Sequence, residues 1–318
     1  MAVRAIQITE FGGPEVLRLA ELPVPQPGPG QVLIAVDHCG VNYADTHQAE
    51  NSYLSAATLP LVPGSEVVGR TEDGQRVLAL TTGGYAEYAL GAAPMLFSVP
   101  DGVSDGQALA LAVQGLTAWH LLRTSTRMAA GESVVVHAGA GGVGTLAIQL
   151  ARHWGAGRVI ATASSAEKRA LAEQLGADAA VDGAEDGLAE RLREANNGRK
   201  VDIVLEMVGG GTFDASLRAL AGFGRIAVYG MASRVPPQPL PPNELMYGSR
   251  SVIGFWLMDC ARRPELLSGP MAELMDLTQA GALRPLVGAE YPLADASQAH
   301  QDLRARRTTG KLILAATK

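Results

Sequence analysis

The stretch Ser133-Val134-Val135-Val136-His137-Ala138-Gly139-Ala140-Gly141-Gly142-Val143-Gly144, continued by Thr145-Leu146-Ala147-Ile148-Gln149-Leu150-Ala151-Arg152, decides the fold. A β run feeds a glycine turn, and the turn opens directly into an amphipathic helix carrying Leu146, Ile148, Leu150 and Ala151. Gly139, Gly141 and Gly144 fit the G-x-G-x-x-G spacing of a dinucleotide site. The first glycine allows the tight turn, the second lets a pyrophosphate approach bare backbone, and the third lets helix and sheet pack closely. The spacing alone says little in a chain with 37 glycines; the flanking strand and helix give it meaning. Free N–H groups at the helix start would face the phosphates.

The next strand bears on which dinucleotide is bound. A site for NAD places Asp or Glu about 20 residues after the first glycine, where it accepts the ribose 2′-hydroxyl. Here Arg158-Val159-Ile160-Ala161-Thr162 runs into Ala163-Ser164-Ser165, with no acid at the tip. Two hydroxyls followed by Lys168 and Arg169 suit a 2′-phosphate, which gains charge-assisted hydrogen bonds there and would be repelled by a carboxylate. NADPH is therefore expected over NADH. The competing reading makes Lys168 and Arg169 solvent-facing residues of the following helix.

At 318 residues and 47% hydrophobic, the chain can fill two cores. Aromatic residues make up 5% and the net charge is −6, which argues against a base-stacking or electrostatic nucleic-acid binder and against attraction to an anionic membrane. No stretch approaches the roughly 20 apolar residues that span a bilayer, and the amino-terminal residues carry no long apolar core. A soluble, cytoplasmic protein is expected. Cys39 and Cys260 are too few for a disulfide framework or a cysteine-rich zinc site.

Residues 1–118 carry short apolar runs cut by glycine and proline, such as Gln31–Val36 and Arg76–Leu80, and no helical periodicity. This predicts a mostly β domain. From Leu116 the pattern turns to alternation: strands at Val134–His137, Val159–Thr162, Ala179–Val181, Val201–Leu205 and Gly224–Tyr229, with helices to Trp154, from Ala166 to Gly176, and over Thr212–Leu220. Such alternation implies a doubly wound parallel sheet over 119–261. The proline-rich Val235–Pro242 must be a surface excursion. Ser251–Leu257 reads as a last strand. A helical tail from Pro264 ends in the strand-like Lys311–Leu314, and 262–318 are expected to rejoin the first domain.

Several local motifs then resemble one family. Ala129–Gly144, Cys39–Asp45 (Cys-Gly-Val-Asn-Tyr-Ala-Asp), Leu61–Gly69 (Leu-Val-Pro-Gly-Ser-Glu-Val-Val-Gly), Gln114–Ala118 and Thr308–Lys311 look like the zinc-independent quinone oxidoreductases of the medium-chain dehydrogenase/reductase superfamily. The resemblance implies a GroES-like catalytic domain, a Rossmann domain, NADPH and a homodimer. It places Asn42 and Thr117 at the nicotinamide. It assigns Gly139, Ala140, Gly141, Gly142, Val143 and Gly144 to the pyrophosphate, and Ser164, Ser165 and Lys168 to the 2′-phosphate. Val208, Gly209, Gly230, Phe255 and Trp256 border the nicotinamide half, with Lys311 approaching from the returning tail. Tyr53 is expected to donate a hydrogen bond to substrate, its alternative being a surface loop aromatic; His47 is a second donor candidate that could equally be structural. Where many relatives have a tyrosine on the 2′-phosphate, this chain has Gly183, so NADPH preference rests on Ser164, Ser165 and Lys168.

In the zinc alcohol dehydrogenases of the same architecture, a cysteine ligand stands where this chain has Asn42 and a histidine where it has Ser65. An amide and an alcohol are poor zinc ligands. No metal site is expected, so alcohol oxidation loses its Lewis acid. The chemistry left to NADPH is hydride delivery to an already electrophilic acceptor, a quinone or an α,β-unsaturated carbonyl such as an enone or enoyl thioester. The alternatives are a zinc-type alcohol dehydrogenase and a non-catalytic NADPH-binding protein.

Overall fold

The computed structural model describes residues 2–52 and 54–317. The chain divides into two compact units, one of Met1–Leu116 with Asp259–Lys318, the other of Thr117–Met258.

The second unit is built on six parallel strands, in spatial order Ala179–Asp182, Arg158–Ala163, Ser133–Val136, Val201–Glu206, Leu220–Val228 and Ser251–Gly254. Taken in sequence this is 3-2-1-4-5-6, the Rossmann order. Parallel strands covered on both faces must be apolar throughout, and Val134, Val135 and Val136 are completely buried. Val135 joins Ile160, Val204 and Ile226 in one core with Leu188, Leu192 and Phe213 from the covering helices. The crossover helices are Gly142–His153, Ala166–Gln174, Leu188–Ala195 and Gly210–Ala219.

Three details differ from the sequence reading. Ser251 starts a strand that stops at Gly254, and Leu257–Arg262 turns into a 3-10 helix instead. The helix Leu188–Ala195 is not predicted from the sequence. Its Glu190, Arg191, Arg193 and Glu194 hide a narrow apolar stripe of Leu188, Ala189 and Leu192. Residues 1–118 also contain helix, at Tyr43–Ala49 and from Asp105 onward. The latter continues through π-helical turns at Leu111–Gly115 and Leu121–Ser125. From Ala108 to Leu122 nearly every residue is buried, the polar Gln114, Thr117 and His120 included, and that removes the 3.6-residue contrast by which a helix is read.

The first unit holds a mixed sheet around the long strand Gln31–Val41, which pairs with Glu66–Thr71, Tyr88–Ala92 and the returning Lys311–Ala315, all antiparallel. Leu312 faces Val41, and Leu314 faces Cys39. This is the GroES-like unit. Its core gathers Ile34, Val36, Val67, Ala79, Tyr85 and Leu314.

Candidate active site

In the second unit, the strand Ser133–Val136 delivers the chain into the glycine turn at the carboxyl edge of the sheet. Ala138 takes a positive φ of 50°. The Gly139 N–H donates to the Thr162 carbonyl and the Gly141 N–H to the Ala138 carbonyl, each at 2.8 Å. A Cβ on Gly144 would lie 2.3 Å from the Ala138 carbonyl oxygen and 2.8 Å from the Gly139 Cα, so helix and turn touch backbone to backbone. The helix begins at Gly142 with Gly141 as a cap that offers no side-chain hydrogen bond. The first N–H groups of Gly142, Val143 and Gly144 therefore point out of the helix end with no intrahelical acceptor, the arrangement that receives a diphosphate.

Buried His137 locks this turn from below, its Nδ1 3.0 Å from Thr162 Oγ1 and its Nε2 2.8 Å from Ser216 Oγ. Burial holds its pKa down at about 4. The ring is therefore neutral and acts as a brace between two strands and the helix Gly210–Ala219.

Arg158–Ala163 ends at the exposed Ser164. Ser165 caps the next helix by accepting the Lys168 N–H at 3.3 Å. Lys168 is half-buried on that helix. Arg169 is turned away, donating to the Ala163 carbonyl at 3.2 Å and facing the Asp182 carboxylate at 3.7 Å.

Further along the same edge, Glu206 ends its strand completely buried. It accepts the Val208 N–H at 2.7 Å and the Gly209 N–H at 3.1 Å. Gly209 has φ 81°, and a Cβ there would meet Met231 Cγ at 2.8 Å. Gly230 follows the neighbouring strand, and its added Cβ would meet Met207 Cβ at 3.2 Å. The Phe255 N–H continues the ladder to the Val228 carbonyl, and its ring stacks on His120 with centroids 5.6 Å apart. Half-buried Trp256 follows it directly, and Thr117 is buried in the helix that opens this unit. The sheet edge thus gathers the glycine turn, the Ser164–Lys168 tip, Val208–Gly209, Gly230 and Phe255–Trp256. Glu206, which holds the 208–209 loop, was not singled out from sequence.

The first unit contains a different kind of cluster. Asn42 caps the helix Tyr43–Ala49, and its N–H donates to Asp45 Oδ2 at 2.8 Å. Its side-chain amide is spent elsewhere. Nδ2 donates to Glu66 Oε1 at 2.9 Å, and Oδ1 accepts from Lys311 Nζ at 3.0 Å. Lys311 also pairs with Glu66, both fully buried, and Glu66 Oε2 takes the Val113 N–H at 2.7 Å. Lys311, expected from the resemblance at the cofactor, therefore has its ammonium engaged with Glu66 and Asn42 inside this unit.

Asp45 anchors a second chain of hydrogen bonds. Tyr85 donates to its Oδ2 at 2.8 Å and lies 3.1 Å from His300 Nε2, while Ser65 Oγ is 3.4 Å from Oδ1. Burial raises the Asp45 carboxyl to about 6, against the lowering pull of the Asn42 N–H, Tyr85 and Lys311. Burial also lowers His300 to about 4. His47 is buried with Nδ1 3.0 Å from Ser52 Oγ and its ring edge-on to Tyr43. Tyr53 lies outside the described residues. Among the described residues no group of three His, Cys, Asp or Glu side chains could hold a metal. Both cysteines are buried and unpaired with each other.

A GroES-like unit joined in one chain to a six-stranded Rossmann sheet with a glycine-turn helix defines the medium-chain dehydrogenase/reductase class. Residues 28–101 match the family model of the alcohol dehydrogenase GroES-like domain, and 142–276 match that of zinc-binding dehydrogenases. The chain is 35% identical to the mouse quinone oxidoreductase, covering 98% of this chain and 97% of that one. A mycobacterial protein solved in complex with NADPH superposes with a TM-score of 0.92 at 40% identity, covering 98% and 99% of the two chains. The Thermus thermophilus quinone oxidoreductase, solved alone and with NADPH, gives 0.88 at 37% identity over 98% and 99%. The chain belongs to the quinone oxidoreductase family of this superfamily.

Proposed function

We propose that the protein is an NADPH-dependent reductase that delivers hydride, without a metal, to a quinone or an α,β-unsaturated carbonyl. The observation that carries the reading is the state of Asn42. It stands where zinc alcohol dehydrogenases have a thiolate, and both ends of its amide are held, by Lys311 and by Glu66. An amide so engaged is a fixed hydrogen-bond donor, unsuited to ligating zinc. NADPH, when bound, supplies the hydride. The side-chain-free turn at Gly139–Gly144 suits its diphosphate, and the tip at Ser164 carries no acid to repel a 2′-phosphate.

The residues then have separate tasks. Glu66 uses one hydrogen of the Asn42 amide, and the second is the donor we assign to the acceptor oxygen as charge develops on it, an interaction that is strongest where charge is greatest. Glu206 holds Val208 and Gly209 so that the backbone edge for the nicotinamide keeps one shape.

If Ser164, Ser165 and Lys168 bind the 2′-phosphate, NADPH binds at least about tenfold tighter than NADH, the equivalent of one charge-assisted contact. Lys168→Ala should erase most of that difference in a titration of nucleotide fluorescence. Equal wild-type affinities for the two nucleotides refute the assignment.

The proposal extends to a homodimer. The outermost strand Ser251–Gly254 pairs on one side within the sheet, and Phe223, Met246 and Tyr247 beside it are 78%, 79% and 86% exposed. An edge strand with apolar flanks favours pairing with a second copy. Light scattering should return twice the 33.1 kDa chain mass; a single-chain mass refutes this part.

A further inference from the structure

Ser65, Asp45, Tyr85 and His300 form one chain of hydrogen bonds in the first unit, and one end of it reaches the surface. Asp45 and His300 are 1% exposed and Tyr85 is completely buried, whereas Ser65 is partly exposed. The Asp45 carboxyl is used unevenly. Its Oδ2 accepts both the Asn42 N–H and the Tyr85 hydroxyl at 2.8 Å, while Oδ1 faces Ser65 Oγ at 3.4 Å, near the long limit of a hydrogen bond. Room for a proton therefore lies on Oδ1. Ser65 itself is held from both sides: its carbonyl accepts the Thr81 N–H at 3.0 Å, and the next residue, Glu66, is fixed by Asn42 and Lys311. One carboxyl thus holds both Ser65 and Asn42, the residue assigned above to the acceptor oxygen. The proton state of Asp45 sets the direction of the Ser65 hydroxyl. As carboxylate, Asp45 accepts the Ser65 hydrogen. As the acid, its Oδ1–H donates to Ser65 Oγ, and the Ser65 hydrogen turns outward.

We propose that Ser65 is the catalytic proton donor to the acceptor oxygen and that Asp45 is the proton store behind it. This rests on the reductase reading above. Reduction of a quinone takes one hydride and one proton. The hydride comes from NADPH, which becomes NADP⁺, and leaves the hydroquinone one proton short with negative charge on oxygen. The Ser65 O–H then breaks as a new O–H forms on that oxygen, and Ser65 Oγ takes the Asp45 proton in the same step. Asp45 is left as carboxylate, its charge held by the Asn42 N–H and the Tyr85 hydroxyl. Solvent returns one proton through Ser65 once the product has gone, which completes the balance. Burial raises the Asp45 carboxyl to about 6, so a protonated fraction persists near neutral pH. The groups around it are otherwise committed. Burial pushes the Cys39 thiol up to about 12, raises the Tyr85 hydroxyl and lowers His300 to about 4. Lys311 pairs with Glu66 and Arg304 with Glu50, while His47 faces Ser52.

The test is steady-state reduction of 1,4-benzoquinone by NADPH, from about pH 5 to about pH 8, in the wild type, Ser65→Ala, Ser65→Thr and Asp45→Asn. Ser65→Ala should lower kcat about a hundredfold, the low end of what general acid catalysis contributes, with KM for benzoquinone kept within about threefold. Ser65→Thr keeps the hydroxyl and should bring kcat back to within about fivefold of the wild type. Wild-type kcat/KM should fall as pH rises through about 6, because the acid form of Asp45 supplies the proton. Asp45→Asn should flatten that fall. If Asp45→Asn does not fold, the two variants at the partly exposed Ser65 decide the matter. A loss of less than about tenfold in Ser65→Ala, no recovery in Ser65→Thr, or an unchanged pH profile in Asp45→Asn each overturn the role. A wild type that reduces no quinone overturns the reading beneath it as well; an active wild type matched by Ser65→Ala overturns this role alone.

Discussion

Gly144→Ala is expected to abolish NADPH binding, weakening it at least a hundredfold. The new Cβ would sit 2.3 Å from the Ala138 carbonyl oxygen, 2.8 Å from the Gly139 Cα and 3.0 Å from the Ala138 carbonyl carbon. All three are backbone atoms, so no side chain can swing aside. Either the helix Gly142–His153 retreats from the turn or the turn moves off the strand, and both displace the N–H groups that would receive the diphosphate. Gly269 is the control. It lies inside the helix Glu265–Gln279 in the other unit, with nothing beyond its chain neighbours within 4 Å of an added Cβ, so Gly269→Ala should leave NADPH binding unchanged; any effect falls on stability, because Pro270 follows directly and disfavours a helical residue with a Cβ before it. Calorimetric titration with NADPH checks both. Wild-type affinity in Gly144→Ala would mean that the turn is not the diphosphate site.

Lys311→Met should destabilise the protein by about 3–5 kcal/mol, because it strands a buried carboxylate without its counter-charge. Glu66 would keep hydrogen bonds from Asn42 and the Val113 N–H but lose the ammonium. The double variant Lys311→Met with Glu66→Gln removes both charges, and its stability should recover most of the loss, since a buried ion pair is worth little against a neutral replacement. Urea unfolding with unchanged slope is the measurement. Equal losses in the single and double variants would show that the pair's charges are not what holds this cluster.

These two experiments also mark where the sequence could be read and where it could not. The parallel sheet is legible because strands buried on both faces become continuous apolar runs, as at Val134–Val136 and Ile203–Leu205, and because the glycine turn and its helix are contiguous. The helix Leu188–Ala195 is not legible, since half of its residues are charged and its buried stripe is only three residues wide. The helical run from Asp105 fails for the opposite reason, being buried on nearly every side between Ala108 and Leu122.

The glycine turn can be read because its parts are neighbours in the chain. The cluster around Asn42 joins residues far apart, with Glu66 and Lys311 separated by 245 positions. No periodicity or spacing carries that partnership. It exists because the strand Lys311–Ala315 returns to pair with Gln31–Val41 and sets Lys311 beside the end of that strand, next to Asn42. Glu66, Asp45, Tyr85, Gln114 and His300 share this property. Each is an ordinary polar residue in its own segment, and burial together gives them their chemistry.

The central claim is that the protein moves hydride from NADPH to an electrophilic acceptor without a metal. Its most direct test is the rate of NADPH oxidation by 1,4-benzoquinone after exhaustive dialysis against a strong chelator. The account predicts that the rate survives dialysis unchanged and does not rise when zinc is added. A rate that falls to the buffer background and returns with zinc would contradict it.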